Sequence, residues 1–211
     1  VPNPGDYCAA IAALTELTAR IESEVGARAT TIGVAMPGSL SPVSGLVRNS
    51  NSTWLNGKPF SQDLKAALGR PVRLENDANC FALSEAVDGA AAGARVVWGA
   101  IFGTGCGGGL VVDGKIVEGA NRVGGEWGHL PLPWARADEP AAQDWCGRWN
   151  CLEQWISGTG FRRWAGMSAS DAAARMAEGD ARALLALDAL SDRIARSLAI
   201  GIDTCDPDVI V

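Results

Sequence analysis

The amino-acid sequence predicts an α/β fold, and three observations carry that expectation. Short, apolar, β-branched runs at residues 30–36, 71–74 and 96–102 have the length and composition of strands. Other segments repeat apolar residues at steps of three and four, the signature of one helical face. The two kinds of segment alternate along the chain, as in α/β domains. A chain of 211 residues with 47% hydrophobic and 20% charged residues can bury a real core and has ordinary globular composition.

The first helix is expected over residues 6–25, where Ile11, Leu14, Leu17, Ile21 and Val25 form a stripe and Asp6 is placed to cap it. The strand at 30–36 ends at Pro37-Gly38. Residues 39–59 are rich in Ser, Asn, Gly and Pro and read as a long loop of the kind that carries function. A short helix at 61–68 and a strand at 71–74 lead to a helix at 78–92, with Asp77 at its N-cap position. Strands at 96–102 and 108–112 flank a glycine loop, and Asp113-Gly114 turns the chain into a third strand at 115–117. Residues 119–150 read as irregular and site-forming. Helices resume near Leu152, and the longest spans about 181–202 with Leu184, Leu187, Leu190, Ile194, Leu198 and Ile202 on one stripe.

The net charge of -6 argues against a nucleic-acid or anionic-membrane surface, because both require a clustered cationic face. No apolar run approaches the ~20 residues of a membrane span, and no signal peptide is visible, so a soluble cytoplasmic protein is expected. Six cysteines are too few for a disulfide scaffold. Cys8, Cys80, Cys106 and Cys205 occur singly and read as small buried thiols. The chain opens on Val1 and ends on the strand-like Val209-Ile210-Val211, so it reads as a segment of a longer protein.

Three places carry candidate chemistry. In Gly103-Thr104-Gly105-Cys106-Gly107-Gly108-Gly109, bare backbone can approach an anion and Thr104 can add a hydroxyl donor; a plain glycine-rich β-turn explains the same letters. Glu75-Asn76-Asp77-Ala78-Asn79 lies where a strand hands over to a helix, the usual place for ligands in open α/β sheets. Asp77 is there either as an N-cap or as a base that takes the proton of an attacking hydroxyl. Gly125-Glu126-Trp127-Gly128-His129 holds the single histidine, followed by the pair Cys146 and Cys151. Zinc accepts His and Cys readily; these supply three ligands, and Asp144 is the nearest oxygen donor for a fourth. Six tryptophans between Trp127 and Trp164 crowd this region, suited to packing the loop or, for one of them, to stacking on a sugar.

In this order the pieces resemble the ROK family of sugar kinases and sugar-responsive repressors. The match runs through Met36-Pro37-Gly38, residues 49–57, 75–92, 103–109, 125–129 and 146–161, and residues 51–57, 76–89 and 127–134 look most like bacterial fructokinases. The resemblance implies an actin-like, ribonuclease-H-like two-lobed fold, incomplete at both ends. Residues 1–87 would be the rest of the N-terminal lobe and residues 88–211 the C-terminal lobe. It implies ATP-dependent phosphorylation of a hexose, with D-fructose to fructose 6-phosphate first. Glucose, mannose and N-acetylhexosamine are alternative substrates, and a sugar-responsive repressor is the alternative role. ATP, Mg2+ and a structural Zn2+ would be the cofactors, a hexose the substrate, and a homodimer the assembly.

By the same resemblance Asp77 would be the general base. Asn49, Asn76, Glu126, His129 and Glu153 would hold sugar hydroxyls, and Thr104 and Gly105 would face the ATP phosphates. His129, Asp144, Cys146 and Cys151 would bind zinc. Three departures from the family pattern stand out. Asp144 replaces the first cysteine of the usual Cys-x-Cys-Gly-x-x-Gly-Cys, and Asn150 replaces its second glycine. The opening Asp-x-Gly-Gly-Thr phosphate motif would precede Val1. The glycine-rich turn after the last strand would follow Val211, so the chain alone is expected to bind sugar better than ATP and to be inactive as a kinase.

Overall fold

In the computed structural model, which describes residues 4–211, the Asp6 carboxylate accepts the Ala9 N–H at 2.9 Å and opens helix α1 (Tyr7–Val25). The described chain forms two compact units: one runs to Cys80 and includes Glu118–Val123, the other holds Phe81–Val117 and Gly124–Val211.

In the first unit, strand β1 (Ile32–Met36) leads into β2 (Ser39–Leu40), β3 (Val47–Arg48), a 3-10 turn (Thr53–Leu55) and helix α2 (Phe60–Leu68). Strand β4 (Val72–Asn76) then pairs parallel with β1, from Ile32 opposite Val72 to Met36 opposite Asn76. Residues 39–59 are thus not an unstructured loop. Ser39 and Leu40 pair with Arg48 and Val47 as a small hairpin, and Leu55 buries itself in the core. That core joins Met36, Val47, Leu55, Phe60, Leu64 and Val72, with Tyr7 and Leu14 of α1 against it. The α1 stripe is only half used, since Ile21 and Val25 are exposed.

Helix α3 (Asp77–Val87) begins in the first unit and ends in the second. It stops five residues before the expected end at 92, because Glu85 folds its carboxylate back to accept the Ala90 N–H at 2.8 Å and turns the chain at Asp88-Gly89.

In the second unit, β5 (Val96–Phe102), β6 (Cys106–Val112), β7 (Lys115–Ile116) and β8 (Val209–Ile210) form a 4-stranded sheet in the order β7-β6-β5-β8. Helices α4 (Glu153–Ile156), α5 (Gly158–Ala165), α6 (Ala169–Ala177) and α7 (Ala181–Cys205) complete it. Trp98, Trp127, Leu152, Trp155 and Ile156 form a core that α7 covers with Leu190, Ile194 and Leu198. Among the described residues, no helix is long and apolar enough to cross a membrane. Of the four single cysteines only Cys106 is buried; Cys8 is exposed, and Cys80 and Cys205 are half-buried.

The leucine stripe does not account for the most buried face of α7. Arg193 is 7% exposed, its guanidinium carbon 4.1 Å from the Trp164 ring centroid and 4.8 Å from that of Trp155. Its Nε donates to Glu139 Oε1 at 2.8 Å, and Arg196 Nη2 donates to the same oxygen at 2.6 Å. Burial alone would raise the Glu139 carboxyl, but hydrogen bonds from Arg196, the Arg136 N–H and Arg193 outweigh it and bring it down to about 2. A carboxyl depressed on folding stabilises above its unfolded value and loses that contribution as pH falls through its folded value. Stability is therefore expected to decline from about pH 4.3 down toward about 2, a window set by Glu139. Glu139→Ala leaves Arg193 charged and buried without its carboxylate, and should lower the unfolding free energy by about 3–5 kcal/mol. Urea denaturation checks this; a loss below ~1 kcal/mol would place the network among ordinary surface pairs.

Candidate active site

In the first unit the β4–α3 junction is built by Asn76. Its Oδ1 accepts the N–H groups of Ala78 and Asn79 at 2.9 and 3.1 Å, so Asn76 and not Asp77 caps the helix. Asp77 is the first helical residue. It is exposed, and its Oδ1 accepts the adjoining Ala78 N–H at 2.9 Å. Asn and Asp are nearly equal as caps, so adjacency alone could not separate them. The result leaves a carboxylate at the N-terminal end of α3.

Asn76 Nδ2 donates to the Gly38 carbonyl at 3.2 Å. Gly38 lies against Asn49 and Ser50, so close that a Cβ on it would sit 2.9 Å from the Asn49 carbonyl carbon. Asn49 itself is exposed and left-handed at φ 56°, a conformation Asn tolerates better than most residues. The Pro37-Gly38 turn, Asn49, Asn76 and Asp77 are therefore neighbours in this unit.

In the second unit the glycine loop is a tight turn between β5 and β6, closed by Gly103 N–H to Gly105 O at 3.0 Å. Thr104 is exposed at its tip. The Glu126–His129 segment packs on β6. Trp127 Nε1 donates to Gly107 O at 2.7 Å, and a Cβ on Gly128 would fall 2.0 Å from Cys106 O, so this approach requires glycine.

His129 then meets the cysteine loop. One ligand atom from each of His129, Asp144, Cys146 and Cys151 lies within 4.8 Å of the others. His129 Nδ1 and Asp144 Oδ2 are 3.2 Å apart, both buried and without a hydrogen-bond partner. The two sulfurs are 3.7 Å apart. That is far beyond a disulfide bond of about 2.05 Å and close to the ~3.8 Å separating two thiolates about 2.3 Å from one tetrahedral zinc. Orphaned ligand atoms converging at this spacing fit a metal.

The loop is held ready for that role. Gln154 Nε2 donates to Asp144 Oδ1 at 2.6 Å, aiming the other oxygen inward. Leu132 N–H to Asn150 O and Leu152 N–H to Leu130 O, both 2.8 Å, tie the strand of the loop that carries Cys151 to the segment after His129. Asn150 adopts φ 62°, so its place in the family pattern is a left-handed position that glycine fills most easily and Asn next. Burial, and then the hydrogen bond with Cys146, push the Cys151 thiol up to about 12. Burial would also raise Asp144, but bonds from Cys146 and Gln154 hold it below the usual carboxylate range.

Glu153, the first residue of α4, accepts the Cys106 N–H at 3.0 Å and the Trp145 indole N–H at 2.5 Å. The second unit thus brings together Thr104–Gly105, Glu126–His129, the cysteine loop and Glu153. Gln154 and Trp145 were not singled out in the sequence. Their signals are adjacency to Glu153 and to the Asp144–Cys146 ligands and, for Trp145, a place among the six clustered tryptophans.

The ROK family profile matches residues 2–211. The chain is 38% identical over 223 residues to the N-acetyl-D-glucosamine kinase of Escherichia fergusonii, spanning all of this chain and 73% of that protein. The corresponding Shigella flexneri kinase is 37% identical over 224 residues, with the same coverage. The crystal structure of the ROK hexokinase from Thermus thermophilus superposes with a TM-score of 0.86 at 32% identity, covering 100% of this chain and 71% of that one. Both sequence relatives are N-acetyl-D-glucosamine kinases, so the fructokinase likeness of residues 51–57, 76–89 and 127–134 does not extend to the chain as a whole.

Proposed function

The chain belongs to the ROK family as one of its sugar kinases, with the actin-like α/β fold of that family, and from this premise we propose that it phosphorylates N-acetyl-D-glucosamine with ATP. The observation that carries the reading is the exposed Asp77 carboxylate at the N-terminus of α3, relieved of capping by Asn76. Phosphoryl transfer asks the protein mainly to position the nucleophile and neutralise charge. Asp77 takes the proton of the attacking hydroxyl. Taken by itself, the first unit offers Asn49 and Asn76 to sugar hydroxyls, and the second offers Glu126, His129 and Glu153. Thr104 and the backbone of Gly105 meet the nucleotide phosphates, and Mg2+ accompanies ATP and shields their charge.

His129, Asp144, Cys146 and Cys151 hold a structural zinc, which supplies rigidity to the loop and takes no part in phosphoryl transfer. The N-acetyl preference is supported by the relatives at 37–38% identity. Division of labour follows the notional lobes 1–87 and 88–211, with acceptor activation in the first and phosphate and zinc loops in the second.

The test is a panel of N-acetylglucosamine, glucose, mannose and fructose with Mg-ATP and the full-length gene product. ADP release and product mass are followed together. N-acetylglucosamine should exceed glucose, from which it differs by the acetamido group alone, in kcat/KM by about tenfold or more, the scale on which a pocket separates substrates differing by one group. A preference for fructose would reverse the specificity, and ATP hydrolysis with no sugar phosphate would end the kinase reading.

A further inference from the structure

Glu153 is engaged at both carboxylate oxygens, and by two different loops. Oε2 accepts the N–H of Cys106, the residue that follows the Thr104–Gly105 turn; Oε1 accepts the indole N–H of Trp145, which stands between Asp144 and Cys146. The approach to the turn is close. A Cβ on Gly105 would lie 2.6 Å from Oε2, so a side chain there would push the carboxylate aside. The backbone beneath the carboxylate is also fixed, since Ser157 Oγ donates to Glu153 O at 2.6 Å and accepts the Gly160 N–H at 2.9 Å. One carboxylate therefore ties the glycine turn to the cysteine loop.

Trp145 is 58% exposed, so burial of its ring is not what holds it in place. Its ring meets that of His129 edge-on at a centroid distance of 5.4 Å, and its N–H is spent on Glu153. An ionised carboxylate has about four lone-pair sites, of which these two bonds use one on each oxygen. The remaining site on each oxygen keeps a fixed direction only while the carboxylate cannot rotate.

We propose that Trp145 is a positioning residue for sugar recognition: its indole N–H locks the Glu153 carboxylate in the orientation that receives hexose hydroxyls. The inference rests on the hexose kinase reading above and adds a residue to it. Trp145 acts through Glu153, and a charge-assisted bond of this kind is stronger than a neutral one. Its loss should weaken ground-state binding of sugar and leave the transfer step nearly intact.

Trp145→Phe keeps the ring and deletes the N–H. Calorimetric titration of N-acetylglucosamine into the full-length gene product should give a Kd raised about tenfold, the usual scale for one hydrogen bond to a charged group. Hexose KM should rise in parallel, with kcat within about threefold and melting temperature and metal content unchanged. Should Trp145→Phe disturb the loop itself, Gly105→Ala displaces the same carboxylate from the other side and should weaken sugar binding similarly. A wild-type Kd in Trp145→Phe, with the fold intact, overturns the proposal and leaves the kinase reading standing. Absence of hexose binding in the wild-type protein removes both.

Discussion

Asp77→Asn should lower kcat by about 10³-fold, within the range typical of a lost general base, and leave the Kd for N-acetylglucosamine within about threefold. The substitution keeps the side chain's size and removes its basicity. Because Asn76 already supplies the cap to Ala78 and Asn79, helix α3 does not depend on Asp77 for its start. The expected stability change is therefore confined to the dipole term, about 0.3–1 kcal/mol. Paired kinetics and calorimetry separate the two effects. Near-normal turnover in Asp77→Asn would remove the base assignment, and weakened sugar binding without a kcat effect would make Asp77 a binding residue only.

The second large effect concerns the cysteine loop. Full-length protein should carry close to one equivalent of zinc, and Cys151→Ser should abolish it. Cys151 is 0% exposed and its sulfur faces Cys146 at 3.7 Å, so its loss leaves three of the four candidate ligands. Structural zinc contributes directly to folding, on the order of 10 kcal/mol in small metal-dependent domains. This loop has other supports, including the Leu130–Leu152 and Leu132–Asn150 bonds, so a drop in melting temperature rather than global unfolding is expected. Asp144→Cys should tighten zinc, since a thiolate is a softer ligand than a carboxylate. Metal analysis with and without chelator reads both variants; metal-free protein with an unchanged melt in Cys151→Ser would dismiss the site.

What the sequence disclosed, and what it withheld, divides along local and non-local lines. Strand β5 occupies residues 96–102 as its apolar run requires, and Asp6 caps α1, because both depend on neighbours within a few residues. The three candidate segments were visible as letters, since glycine runs, Asn-Asp pairs and Cys spacings are themselves local. Their arrangement was not. Residues 119–150 are shaped by bridges between Pro131 and Cys151 and between Gln143 and Trp149, and by Glu139 reaching Arg193 and Arg196 more than fifty residues onward.

Arg193 breaks the apolar pattern expected of a buried helix face, and only Glu139 and two indoles explain why it is tolerated there. Asn76 and Asp77 were interchangeable on cap preference until the helix start was fixed. The fructokinase-like stretches at 51–57, 76–89 and 127–134 are short and carry less information than similarity across the whole chain, which runs to N-acetyl-D-glucosamine kinases.

The central claim is the proposal that the exposed Asp77 carboxylate at the start of α3 meets the reacting hydroxyl of the sugar. A crystal structure of the full-length protein with N-acetylglucosamine bound addresses it without kinetics. The expected result is a single sugar with one hydroxyl oxygen about 2.6–3.2 Å from an Asp77 oxygen, the reach of a proton acceptor. A bound sugar with Asp77 directed only to solvent would contradict it.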